Sequence, residues 1–168
     1  MRIYLIGMPA SGKTTFGRAL ATYLDYSFVD MDEEIIKLAG KTIPEIFTQD
    51  GELIFRKLEQ QVLHNLTGEK LVISTGGGAP CFFDNMDVIE QRGVSVFLDV
   101  PVKTLWQRVK EQTGTRPLLN GKDGDKLLDE LIKKRNKRLA FYQRATLTLK
   151  ENEIQLEQVI AKLNLTNQ

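Results

Sequence analysis

Apolar residues follow two rhythms along this chain. Short apolar runs at RIYLI (2–6), SFVD (27–30), KLVIS (70–74), GVSVFLDV (93–100) and TLTL (146–149) predict β-strands. Between them, apolar positions return every three or four residues, the period of a helix with one buried face. KTTFGRALATYL (13–24) predicts such a helix, striped by Phe16, Ala19, Leu20, Tyr23 and Leu24. TIPEIFTQDGELIFRKLEQQVLHNL (42–66) predicts two helical pieces broken near Gly51, the second striped by Phe55, Leu58, Val62 and Leu66. Further helices are predicted over 101–112, with proline in the first turn, over 126–145 and over 153–163. TGTRPLLNGKDGD (113–125) has the glycine and aspartate content of a mobile loop.

Strands alternating with helices build β-α-β units, which stack into a parallel sheet covered on both faces. At 168 residues the chain has the length of a single domain, 1–168. Ligands of such sheets bind beyond the carboxyl ends of the strands. The chemistry is therefore expected from Gly7, Asp30, Ser74 and Asp99 onward.

Charge and composition narrow the class. A net charge of +1 gives no electrostatic pull toward nucleic acid or an acidic membrane. No apolar run is long enough to cross a bilayer, and MRIYLIGMPASG holds too short a run for a signal peptide, so a cytoplasmic location is expected. The one cysteine, Cys81, excludes an internal disulfide framework and a cysteine-based zinc cluster. Cys81 and Trp106 read as packing residues, and His64 as a helix-surface residue.

GMPASGKT (7–14) fits G-x-x-x-x-G-K-[ST], and it lies between an apolar strand and an amphipathic helix. Glycines let backbone N–H groups turn inward around phosphate oxygens, and the helix N-terminus adds partial positive charge. Lys13 can reach the terminal phosphates of a nucleoside triphosphate, and the Thr14 hydroxyl can hold Mg²⁺.

VDMDEE (29–34) sets Asp30 and Asp32 two apart. If the extended backbone continues, both side chains point to one side. One carboxylate can then hold the Mg²⁺ shell through a water, since Mg²⁺ dehydrates reluctantly, and the other can accept a proton from a hydroxyl that attacks the γ-phosphate. The same residues also fit a solvated helix start with Asp32 as N-cap. Spacing leaves both open.

Arg56 and Glu59, three apart, fit an ion pair on a helix surface, worth little. Leu128, Leu131, Arg135, Arg138 and Tyr142 form one stripe at spacings of three and four. It is either a solvated basic flank or a way of bringing a guanidinium inward to an anion. Arg116, ahead of Pro117 in the loop, can close onto a transferring phosphate. LVISTGGGA (71–79) ends a strand in Gly76, Gly77 and Gly78, a costly run that implies an unusual turn or a close approach to the backbone.

Together these segments resemble the shikimate kinase family, from Arg2 to about Leu163. The resemblance is carried by GMPASGKTT, by Asp30-Met31-Asp32, and by FTQDGELIFRKLE (47–59), similar to F-x-x-x-G-E-x-x-F-R-x-x-E. STGGGA (74–79), RPLL (116–119) and RLAFY (138–142) add to it, the last similar to R-x-P-x-Y with Ala140 at the proline, so that a straighter helix is expected. It implies an α/β fold, a P-loop nucleoside-monophosphate-kinase-like three-layer sandwich with a five-stranded parallel sheet in the order 2-3-1-4-5. An acceptor segment is implied at about 31–60 and a lid loop at about 112–125.

The implied activity is ATP-dependent phosphorylation of the 3-hydroxyl of shikimate, a step toward chorismate and the aromatic amino acids, by a monomer using Mg²⁺. Ala10, Ser11, Gly12, Lys13, Thr14, Thr15, Arg108 and Arg116 are implied to hold ATP, with Arg108 near adenine. Thr14 and Asp30 are implied to serve Mg²⁺. Asp32, Arg56, Gly76, Gly77, Gly78 and Arg138 are implied to contact shikimate, and Lys13, Asp32 and Arg116 to act in catalysis. The glycines are then expected to leave room for the substrate ring, with the Gly77 amide offered to it. Ser74 and Thr75 are not acidic, so the demand for a metal carboxylate falls on Asp30. A gluconate or nucleoside-monophosphate kinase is the nearest rival, disfavoured by DGELIFRKLE and the triple glycine. A regulatory ATP-binding domain is the other, disfavoured by the presence of Asp32 and Arg116.

Overall fold

The structure, a computed structural model, describes residues 1–112 and 122–164. Strands β1 (Arg2–Ile6), β2 (Ser27–Asp30), β3 (Leu71–Ser74), β4 (Val94–Asp99) and β5 (Leu147–Lys150) form one sheet in the order β2-β3-β1-β4-β5. Every pairing is parallel. Side chains alternate across β1 with the period of two expected of a strand. Tyr4 and Ile6 enter one apolar cluster, and Ile3 and Leu5 enter the other. Burial on both faces is why these strands read as continuous apolar runs.

Helices α1 (Lys13–Leu24) and α8 (Leu156–Lys162) cover the Ile3/Leu5 face. The buried side of α1 is Gly17, Leu20, Ala21 and Leu24, whereas Ala19 and Tyr23 of the predicted stripe are exposed. The other face carries α2 (Met31–Ala39), α4 (Glu52–Asn65), α5 (Asn85–Arg92), α6 (Val102–Gln112) and α7 (Lys122–Tyr142). Between α2 and α4 run a short turn, α3 (Ile43–Glu45), and a π-helical stretch, Ile46–Asp50. The break predicted near Gly51 falls there, with Gly51 at φ 85°. Helix α5 was not predicted as an element, and α2 only as a helix start left open at Asp32. They are short, and each buries only a few side chains, such as Met31 and Ile35 on α2.

The predicted lid interval is entered from both sides, because α6 reaches Gln112 and α7 begins at Lys122. The remainder, with Arg116, lies outside the described residues. With Ala140 in place of a proline, α7 runs unbroken to Tyr142. Among the described residues no helix is long and apolar enough to cross a membrane.

Strand register fixes where the site opens. Ser74 is level with Leu5 on one side and with Asp30 on the other. The loops after β1, β2 and β3 therefore leave the sheet from one edge. Gly93, between α5 and β4, lies against the Arg2 backbone, whose carbonyl carbon would be 3.0 Å from an added Cβ. Gly93→Ala is expected to force β1 and β4 apart and cost about 1–3 kcal/mol. Urea unfolding should show the lower midpoint, while turnover per folded molecule stays at the wild-type value.

Candidate active site

The loop between β1 and α1 turns through Ala10 at φ 62° and Gly12 at φ 94°. No side chain caps α1, so its first-turn amides face the loop without a competing acceptor. Lys13 is buried, and its ammonium donates to the carbonyls of Gly7 at 3.0 Å and Met8 at 2.9 Å. Burial lowers its pKa to about 8, against the opposing pull of Asp32 and Asp30. The loop opens on a cavity of about 590 Å³ that Asp30, Asp32, Ser74, Gly76, Gly77 and Arg108 also line.

Asp30 and Asp32 meet here by a different route from the one expected. The strand does not continue past Asp30. Helix α2 starts at Met31, and Asp30 is its N-cap, accepting from the Asp32 amide at 3.0 Å. The cap is thus Asp30, not Asp32. Capping leaves the second Asp30 oxygen to accept from the Thr14 hydroxyl at 2.8 Å, with the Ser74 hydroxyl 3.4 Å from Thr14. These are hard oxygen donors, the chemistry that Mg²⁺ prefers, and few enough to leave it several waters. Among the described residues there is no cluster of three or more histidine, cysteine or acidic side chains that could hold a metal ion. Asp32 is half-buried, and its carboxyl pKa is raised by burial and then by Asp30, while Lys13 and Arg56 act against the shift.

The Arg56–Glu59 pair is not on the surface. Arg56 is 7% exposed and Glu59 0%. Arg56 donates to Glu59 Oε2 at 2.9 Å and, through two nitrogens, to Glu52 Oε1 at 3.1 and 3.3 Å. Its guanidinium lies over the Phe82 ring, 4.2 Å from the centroid. Among the described residues Glu59 Oε1 has no hydrogen-bond partner, and burial raises the Glu59 pKa. A pair three apart looks the same in sequence whether solvated or buried, so the surface ion pair expected of Arg56 and Glu59 is corrected to a buried one.

The triple glycine is filled by the protein itself. A Cβ on Gly76 would collide with Glu59 Oε1 and lie 3.2 Å from Asp32. On Gly77 it would strike Pro9 of the phosphate loop at 2.6 Å, and on Gly78 the Arg56 guanidinium at 2.5 Å. The expected reason, space for a ligand ring, is thus corrected: each Cβ position is taken by a group from another element.

On α7, Arg135 pairs with Asp99 at 2.7 Å, at the carboxyl end of β4. The charge of Arg138, three residues on, acts on Lys13, Glu59, Cys81 and Tyr142. Arg108 donates to the Ala10 carbonyl at 3.2 Å and to Glu151 at 3.3 Å, which holds it over the phosphate loop. Ser11 is buried, and Thr15 lines the cavity beside Thr14. His64 lies apart, bonded to Asp84, and Cys81 and Trp106 pack against the core.

The chain matches the shikimate kinase family over residues 9–166. It is 47% identical to a shikimate kinase of Bacteroides fragilis over 146 residues, which cover 86% of this chain and 82% of that protein. It is similar in structure to shikimate kinase from Bacteroides thetaiotaomicron, with a TM-score of 0.89 and 39% identity, covering 98% of this chain and 99% of that one. It is also similar to shikimate kinase from Acinetobacter baumannii in complex with shikimate, with a TM-score of 0.78 and 38% identity over 98% of this chain and 90% of that one.

The glycine contacts generate a prediction. Gly77→Ala pushes on Pro9, so it should raise KM for ATP as well as for the acceptor. Gly78→Ala pushes on Arg56, so it should raise the acceptor's KM about tenfold with little change for ATP, the size of a modest overpacking penalty. Initial-rate kinetics with each substrate varied in turn would separate the two patterns.

Proposed function

The chain belongs to the shikimate kinase family, and on that premise we propose how its residues transfer the γ-phosphoryl group of ATP to the 3-hydroxyl of shikimate. The observation that carries the assignment of roles is the buried Arg56 fork, set beside Asp32 near the cavity into which the phosphate loop opens. Glu59 and Glu52 take three of the Arg56 N–H donors, and the planar donors they leave suit a carboxylate. Shikimate brings one carboxylate and three hydroxyls. In this reading Arg56 and Arg138 hold the carboxylate, and the turn at Gly76, Gly77 and Gly78 lies against the ring.

The loop amides, Lys13 and the start of α1 hold the phosphates of ATP, with Ala10 to Thr15 around them and Arg108 beside the nucleotide. Arg116 is assigned to the transferring phosphate from the family resemblance. Asp32 orients the 3-hydroxyl and takes its proton as the new O–P bond forms. Burial beside Asp30 makes it a stronger base than a solvated carboxylate. Thr14 and Asp30, with Ser74 behind them, would hold Mg²⁺, which supplies charge neutralisation on the phosphates when bound. The acceptor segment is assigned to about 31–60 and the lid to about 112–125, within one domain of 1–168. The chain is further read as a cytoplasmic monomer acting on a small molecule, and its net charge of +1 gives no electrostatic pull toward nucleic acid or an acidic membrane.

Coupled measurement of ADP release from ATP tests the reading. Release should depend on shikimate and not on gluconate or a nucleoside monophosphate. Release that is equal without any acceptor, or that follows gluconate, overturns it.

Asp32→Asn keeps the shape but loses the proton-accepting charge. It is expected to lower kcat roughly 10²–10⁴-fold, with a smaller change in shikimate Kd. Asp32 is a carboxyl whose folded pKa is raised, so the ionised form opposes folding above that pKa, and neutralising it relieves the cost. The thermal midpoint of Asp32→Asn near pH 7 should therefore not fall. Near-normal kcat in Asp32→Asn would leave Asp32 as a positioning group only.

A further inference from the structure

Tyr142 ends α7, is fully buried, and stacks on Phe97 with ring centroids 5.0 Å apart. Its hydroxyl does not finish in the core. It donates to the carbonyl of Gly77, and the Met8 sulfur of the phosphate loop lies 3.8 Å from it. The other two glycine carbonyls are held locally, Gly76 by the Ala79 amide at 3.0 Å and Gly78 by the Cys81 amide at 2.9 Å. Among the described residues, the Gly77 and Gly78 amides donate to no protein acceptor.

A trans peptide sets its N–H opposite its C=O. Holding the Gly77 carbonyl thus fixes the direction of the Gly78 amide. This peptide sits between two glycines, so few steric barriers oppose its rotation. The Tyr142 hydroxyl is the one side-chain donor to these three carbonyls among the described residues, reaching across 65 positions of sequence. Tyr142 also lies one helical turn after Arg138, on the same side of α7.

We propose that Tyr142 is a positioning residue for the acceptor: its hydroxyl selects one orientation of the Gly77–Gly78 peptide and ties that orientation to the helix that carries Arg138. The proposal rests on the assignment of the glycine turn to shikimate. Tyr142 is fully buried and does not line the cavity. It acts by keeping unpaired amides aimed and by holding the turn against the end of α7.

Tyr142→Phe removes the hydroxyl and keeps the ring against Phe97. At saturating ATP, the shikimate KM should rise roughly threefold to tenfold, as expected for the loss of one neutral hydrogen bond. At saturating shikimate, the ATP KM should stay within about twofold, inside the range of a surface substitution. The rise in thermal midpoint on adding shikimate should shrink in parallel. Phe97→Leu, which disturbs the same packing and leaves the hydroxyl, should lower the midpoint without moving the shikimate KM. A wild-type shikimate KM in Tyr142→Phe overturns the proposal, as does an equal rise in both KM values. An insoluble Tyr142→Phe protein overturns it too, because the hydroxyl would then be holding the fold rather than the turn. Failure of the underlying reading is separate: the wild-type protein would then release no shikimate-dependent ADP.

Discussion

A guanidinium and a carboxylate are buried together beneath a turn that has no side chains. Arg56 and Glu59 are almost wholly out of water, and desolvating two charges costs several kcal/mol each before their attraction is counted. Such pairs are weak contributors to stability, so their presence points to function. The glycine turn makes room for the pair. Gly78 lies on the Arg56 fork, Gly76 on Glu59 and Asp32, and Gly77 on Pro9 of the phosphate loop. One stretch of backbone therefore touches the cation and the base proposed for the acceptor side and the phosphate loop. A methyl group at any of the three positions displaces a different part of the machinery.

The sheet supplies the rest of the alignment. Phosphoryl transfer through a loose transition state asks the protein for positioning and electrostatics more than for covalent chemistry. The level registration of Leu5, Ser74 and Asp30 places three loops at one edge before any side chain is considered. Capping then does two tasks with one carboxylate: Asp30 starts α2 and holds Thr14. The charges alternate through the cavity, Lys13 against Asp32 and Asp30, and Asp32 against Arg56, so each partly offsets the burial of the next.

Much of this was legible in the sequence. The strand order followed from the resemblance, and the phosphate loop from its spacing between a strand and a helix. Asp30 and Asp32 were legible as a pair, but not the helix cap that joins them, because a strand passing directly into a helix has no loop signature. The burial of Glu59 was not legible, since an i, i+3 charge pair carries no mark of it. The reason for the glycines was not either: the atoms that exclude a Cβ come from Pro9, Asp32, Arg56 and Glu59, brought together only by the fold. The Gly77 carbonyl bond to Tyr142 is hidden for the same reason, because the stripe on α7 shows spacing and not what it meets.

Isothermal titration of shikimate into Arg56→Lys tests the central claim most directly. Lysine keeps the positive charge and the volume of the stem but loses the planar fork, so charge and geometry are separated. The account predicts that shikimate affinity falls at least about tenfold, the loss of a charge-assisted hydrogen bond, while ATP affinity stays close to wild type. Wild-type shikimate affinity in a folded Arg56→Lys protein would contradict it, and would mean that the buried guanidinium holds the glycine turn and not the substrate.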